Sequence, residues 1–179
     1  MSIDNNGILM TGFRGTSSEQ FVKKQTVSHS RIILPNDKIL DAKILLDQLQ
    51  RSPESVKYIF SFGQKPNIKD KIYIETAARS GSRYLYTEFA YDELHDAFRT
   101  EHIEVRLSDR AGTSFCNALY WNVLKYIYDQ GLQTKMIFLH MPFRKNITAS
   151  GDFYERIQKG IGNYLLNSAD FAICREQEV

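Results

Sequence analysis

Three side chains have types and surroundings suited to nucleophilic catalysis: Cys116, His140 and Glu75. Cys116 lies in Ala111-Gly112-Thr113-Ser114-Phe115-Cys116-Asn117, a glycine-containing loop that runs into an apolar helix, with the cysteine in its first turn. The start of a helix presents unpaired N–H groups and a positive partial charge. Both favour thiolate over thiol, and the same N–H groups could stabilise an oxyanion beside the sulfur. His140 closes the apolar run Lys135-Met136-Ile137-Phe138-Leu139 and precedes Met141-Pro142. That puts it at the edge of the core, where an imidazole can act as a base near neutral pH. Glu75 stands inside Ile72-Tyr73-Ile74-Glu75-Thr76-Ala77. A carboxylate in an apolar strand is costly unless paired, and the far nitrogen of a histidine is one such partner. Each residue also has a plainer reading: a packed apolar cysteine, a capping histidine, an edge-strand carboxylate facing water. His29, His95 and His102 lie in polar or helical surface contexts. No Cys/His cluster has metal-ligand spacing, and no phosphate-binding glycine loop of a known type occurs.

The elements around these residues alternate between strand and helix. Ile8–Thr11 reads as a buried strand closed by Gly12, and Arg31–Leu34 as a second, stopped by Pro35. Asn36 or Asp37 can cap the helix that follows, whose Ile39, Leu40, Ile44, Leu45, Leu46 and Leu49 favour one apolar face. Strands are expected over Val56–Phe62, Lys71–Ala77, Ile103–Leu107 and Lys135–His140. Helices are expected over Ala90–Arg99, Ser114–Tyr128 and Asp152–Leu166. Alternation of this kind predicts an α/β fold: a three-layer α/β/α sandwich with a mostly parallel, twisted central sheet. In such folds the site lies beyond the C-terminal ends of the strands, which points to Gly12-Phe13, Gly63-Gln64, the stretch after Glu75, Asp109–Cys116 and His140.

The bulk composition narrows the function class. The 179 residues suit one domain over 1–179, and 42% apolar residues suffice for a core. With 23 basic and 21 acidic side chains, the net charge of +2 leaves no footprint for nucleic acid or an anionic membrane. Two cysteines do not make a disulfide scaffold, the start Met1–Gly7 lacks a signal-peptide plan, and no apolar run approaches a membrane span. These features predict a cytoplasmic protein. Cys174, in Phe171-Ala172-Ile173-Cys174, reads as buried and inert, so Cys116 is expected to be the faster thiol to alkylate.

Taken together, the segments from Leu9 to Pro142 resemble the pyroglutamyl peptidase I family, the pyrrolidone-carboxylate peptidases. Thr11-Gly12-Phe13 resembles the family's opening strand end, and Ile33-Leu34-Pro35 its second strand. Phe62-Gly63-Gln64 resembles its His-x-Gly-Gln turn, and Ile74-Glu75-Thr76-Ala77 its Leu-Glu-Arg-x-Ala strand. The most specific match is Ser108-Asp109-Arg110-Ala111-Gly112-Thr113-Ser114-Phe115-Cys116-Asn117, similar to Ser-x-x-Ala-Gly-x-Tyr-x-Cys-Asn, with Ser114 where the family prefers an aromatic. Phe138-Leu139-His140-Met141-Pro142 resembles Phe-Ile-His-Val-Pro, at the family's spacing from the cysteine.

The resemblance implies a phosphorylase/hydrolase-like fold and a cofactor-free cysteine peptidase that removes N-terminal 5-oxoproline from peptides. Cys116 would be the nucleophile, His140 its base and Glu75 the residue that orients the histidine. Phe13 and Gln64 would bind substrate. The chain departs from the family at Gly15-Thr16-Ser17, where Thr16 replaces a second aromatic that grips the lactam. Phe143 and Tyr84 are the aromatics placed to fill that gap. It departs again after Glu75, where a long loop is missing and Arg79 or Arg83 stands for the family's arginine. That loop contributes to subunit contacts, so the resemblance leaves a homo-oligomer open and the family's tetramer in question. Two other readings remain: a cysteine hydrolase with another small amide or N-terminal substrate, and a non-catalytic relative that binds.

Overall fold

The computed structural model describes residues 7–25, 30–112 and 114–168. The expectations about Cys174, His29, Thr113 and residues 1–6 lie outside them.

The chain runs β1 (Ile8–Phe13), α1 (Ser17–Lys23), β2 (Ser30–Leu34), α2 (Leu40–Arg51), β3 (Tyr58–Lys65), β4 (Lys71–Glu75), β5 (Ala77–Ser80), β6 (Arg83–Tyr86), α3 (Tyr91–Thr100), β7 (Glu104–Ser108), α4 (Phe115–Gln130), β8 (Lys135–Pro142) and α5 (Ser150–Asn167). Among the described residues, six strands form the main sheet in the order β2-β1-β3-β8-β4-β7. All neighbouring pairs are parallel except β8 with β4. The sheet is therefore mostly parallel, as expected, but β4 and β7 run against the rest.

Period-two alternation sorts the strands onto two buried faces. Ile8, Met10, Phe60, Phe62, Ile72, Ile74, Ile137, Leu139 and Met141 pack under α1, α3 and α5, through Phe21, Leu94, Phe98, Ile157 and Ile161. Leu9, Phe13, Ile59, Met136 and Phe138 pack under α2 and α4, through Leu45, Leu49, Leu119, Tyr120 and Val123. Burying each such side chain contributes about 1.5–3 kcal/mol, so the two layers of helix are what keep the sheet in place. Close approach is specified too. A Cβ on Gly160 of α5 would come within 2.5 Å of the Phe98 ring on α3.

Two elements differ from expectation. The strand expected over Lys71–Ala77 breaks at Thr76, whose N–H and hydroxyl both donate to Ser108 O at the end of β7. The chain then leaves the sheet for the two-stranded β5–β6 hairpin. The segment after Gly15 is helical. Thr16 caps α1 by accepting from Glu19 N–H, and Glu19 Oε2 accepts from Gly15 N–H, a reciprocal pair close to a capping box. Of the two caps expected for α2, Asp37 serves: its Oδ1 accepts from Ile39 and Leu40 N–H groups at 2.9 and 2.8 Å.

Candidate active site

The strand register gathers the expected residues on the face covered by α2 and α4. Gly63 of β3 is level with His140 of β8, while Tyr73 and Glu75 of β4 are level with His140 and Phe138. Register partners point the same way, so these positions share one side of the sheet. Because β4 is antiparallel to β8, the stretch after Glu75 leaves the sheet level with Phe138 rather than beyond the His140 end. The rule that sites gather beyond parallel strand ends therefore misplaces that stretch.

His140 is 3% exposed and Glu75 fully buried. His140 Nδ1 lies 2.7 Å from Glu75 Oε1. With Glu75 ionised, Nδ1–H donates and Nε2 is left with its lone pair, the form a base requires. Lys65 Nζ donates to the same Oε1 at 2.9 Å. Burial would raise the Glu75 carboxyl, but hydrogen bonding and charge from His140, with Ser108 and Lys65, hold it below the usual carboxylate range. Burial pushes the His140 imidazole below its ordinary value; Glu75 works against that shift and Lys65 adds to it. The ring is thereby kept neutral near pH 7.

Cys116 is half-buried in the first turn of α4, after the N-cap Ser114. Its sulfur faces Gly63: a Cβ there would lie 2.8 Å from Cys116 Sγ and 2.9 Å from Phe138 Cε1. Only glycine lets the helix start come this close to the strand beside His140. Burial pushes the Cys116 thiol up to about 12, reinforced by the charges of Glu75 and Asp41 and opposed by its own backbone N–H and by Lys65. Burial, the largest influence on the thiol, thus works against the lowered pKa expected from the helix end. At rest the group is a thiol, and a nearby base must take its proton.

The expected binding residues part company. Phe13 is buried, with its ring centroid 6.3 Å from that of Phe138, which in turn is 5.0 Å from His140. Phe13 backs the site through Phe138. Gln64, one residue past Gly63, alternates to the opposite face, where its Oε1 accepts from Ser17 N–H at 3.4 Å. The arginines serve the hairpin: Arg79 lies over Tyr84, and Arg83 over Trp121 on α4. Tyr84 stacks on Tyr86, and Phe143 is half-buried beyond β8. Asn117 clasps the hairpin to α4, accepting from Arg79 N–H and donating to Arg79 O, both at 2.8 Å.

Two further residues, Lys65 and Asp41, bear on the site without any signal in the motifs, and a third, Phe115, lies inside one. Lys65 escapes because the sequence pattern ends the strand at Phe62; continued to residue 65, the alternation puts it on the side of Gly63. Asp41 is 1% exposed, and neither carboxylate oxygen has a hydrogen-bond partner among the described residues. Burial raises its pKa. Phe115, next to the nucleophile position, is 39% exposed with Lys38 Nζ over its ring.

Comparison with known proteins adds to this geometry. No protein-family model matches the chain. A pyrrolidone-carboxylate peptidase of Thermoanaerobacter sp. is 30% identical over 63 residues, 35% of this chain and 31% of that protein. Pyrrolidone-carboxylate peptidase 1 of Caldanaerobacter subterraneus is 35% identical over 51 residues, 28% of this chain and 25% of that protein. The match thus spans less than a third of the length of these curated relatives. Among solved structures, the pyrrolidone carboxyl peptidase from Thermococcus litoralis superposes with a TM-score of 0.75 at 16% identity, over 95% of this chain and 96% of its own. Pyroglutamyl peptidase I from Bacillus amyloliquefaciens does so with 0.75 at 16%, over 90% and 96%. Both comparisons bear out the resemblance to the pyroglutamyl peptidase I family. At these identities the solved structures establish that the chain has the fold of a pyroglutamyl peptidase I. Among the described residues, no helix is long and apolar enough to cross a membrane.

Proposed function

We propose that the chain is a cysteine-type omega-peptidase that removes pyroglutamate from the N-terminus of peptides through a thioacyl-enzyme. The observation that carries the reading is the buried 2.7 Å contact of His140 with Glu75, on the sheet face that also meets the Cys116 sulfur. His140 Nε2 takes the thiol proton as Cys116 Sγ bonds to the carbonyl carbon of the pyroglutamyl residue. The same proton passes to the departing amine as the C–N bond breaks. Water, deprotonated by His140, then cleaves the thioester and releases pyroglutamate and the thiol. Glu75 stabilises the imidazolium in both halves, and N–H groups at the start of α4 face the developing oxyanion. On this reading residues 1–179 form one cytoplasmic peptidase-like domain, with a homo-oligomer left open by the short β5–β6 hairpin.

A second reading, a cysteine hydrolase acting on a different small amide, draws on the pocket. Thr16 is committed to capping α1, and Tyr84 to the hairpin. Hydrolysis of a chromogenic pyroglutamyl amide, compared with other N-terminal amides and with Cys116→Ala, tests both. Release of chromophore from the pyroglutamyl amide by the wild type alone supports the first; preference for another amide replaces it with the second.

A further inference from the structure

Lys65, the last residue of β3, has a side chain 26% exposed. It follows Gly63 by two residues and so lies on the face that carries His140. From there it reaches past β8 to β4. Its Nζ donates to Glu75 Oε1 at 2.9 Å and to Arg110 O at 3.2 Å, and sits 4.8 Å from the centroid of the Tyr73 ring. The oxygen it meets is the one that His140 Nδ1 meets, whereas Glu75 Oε2 has no hydrogen-bond partner among the described residues. Arg110 belongs to the loop that delivers Cys116. One ammonium therefore touches the carboxylate behind the histidine, the loop before the cysteine and an aromatic face.

We propose that Lys65 is a positioning residue of this site: it locks Glu75 onto His140 Nδ1, ties the loop before Cys116 to that carboxylate, and keeps the His140 ring neutral. The inference rests on the reading of His140 as base to Cys116. Without Lys65, the buried carboxylate would keep only the neutral Ser108 beside His140 and would draw a proton onto the ring, because the imidazolium would be its counter-ion. A second cation on the same oxygen satisfies that charge and repels the incoming proton. Among the described residues, the titratable and charged groups around His140 and its carboxylate are Glu75 and Tyr73 from β4, Lys65 from β3 and Cys116 and Tyr120 from α4, with Asp41 of α2 acting on Cys116. Of these, Lys65 is the cation. A lysine that merely covered the surface would leave the histidine's protonation unchanged.

The test is the titration of the His140 ring by NMR in imidazole-labelled wild type, Lys65→Gln and Lys65→Arg, beside the pH dependence of kcat/KM on a pyroglutamyl amide. Lys65→Gln should raise the His140 midpoint by on the order of one pH unit, the scale of one nearby charge. The acidic limb of kcat/KM should move up with it. Lys65→Arg, which keeps the charge, should restore both. An unchanged His140 midpoint in Lys65→Gln overturns the proposal, as does an equal shift in Lys65→Arg. The ring titration needs no turnover. A wild type inert towards pyroglutamyl amides would therefore sink the substrate reading, while the NMR midpoints alone decide for or against Lys65.

Discussion

Gly63 and His140 stand level on adjacent parallel strands, and the space where a Gly63 side chain would be is filled by the Cys116 sulfur and the Phe138 ring. The glycine is thus the clearance between helix α4 and the strand beside the proposed base. Gly63→Ala should force one of them to move, since approaches of 2.8 and 2.9 Å leave no room for a methyl group. We expect kcat to fall at least tenfold, with a loss of stability of about 1–3 kcal/mol from overpacking. Kinetics paired with thermal unfolding check this; a fully active, fully stable variant would contradict the geometry.

The proposed mechanism makes Cys116, His140 and Glu75 one unit. Cys116→Ala should abolish hydrolysis with little loss of folding; His140→Ala should abolish it as well but at a cost in stability, because buried Glu75 loses its partner, and the double variant should turn over no more slowly than either single one. Glu75→Gln, which keeps the shape but not the charge, should lower kcat by about 10²–10⁴-fold, the usual span of acid–base assistance. Turnover of a pyroglutamyl amide by Cys116→Ala would remove the cysteine mechanism.

Asp41 is a buried carboxylate that pushes the Cys116 thiol up. Asp41→Asn should therefore lower the Cys116 pKa and speed its alkylation at neutral pH, read by peptide mapping so that Cys174 is counted separately. Stability should change as well. A carboxyl whose pKa is raised on folding supports the fold at low pH and opposes it as pH rises through the folded value. Asp41→Asn should thus stabilise the protein more near pH 7 than in acid.

Acid should lower the protein's stability over two pH windows. His140 is depressed on folding, so its contribution is complete above its ordinary value of 6.5 and is lost as pH falls through the folded one. Glu75 is also depressed, so its contribution is complete above 4.5 and fades as pH drops further. Denaturant midpoints measured across this range should decline from about pH 6.5 downward. His140→Gln should flatten the upper part of the decline and Glu75→Gln the lower part.

Much of the site is legible in the chain because its residues mark strand and helix ends. His140 closes an apolar run, and Cys116 follows a glycine loop into an apolar helix. Their meeting with Glu75 can be expected only through the family resemblance, since no local pattern tells which strands are neighbours. Gln64 falls on the other face because one step along a strand changes sides, and nothing in Gly63-Gln64 says which side carries the site. The helix-end argument for Cys116 leaves out burial, which comes from α2 and the sheet rather than from adjacent residues. Lys65 is hidden by three residues of strand length. Thr16 looks like a lost aromatic, yet its hydroxyl holds the start of a helix.

The strand order has a consequence for how the chain reaches this state. β1, β2 and β3 are neighbours, as are β4 and β7, but β8 alone joins the two groups, pairing β3 on one side and β4 on the other. On a ribosome the chain makes both groups before it makes the strand between them. Until residues 135–142 emerge, the inner edges of β3 and β4 have no partner and Glu75 has no histidine. Long-range pairing of this kind is slow because loop closure must precede its reward. Among the described residues the last strand to be synthesised is therefore the one that closes the sheet and completes the Glu75–His140 pair, so the proposed chemistry must wait for it.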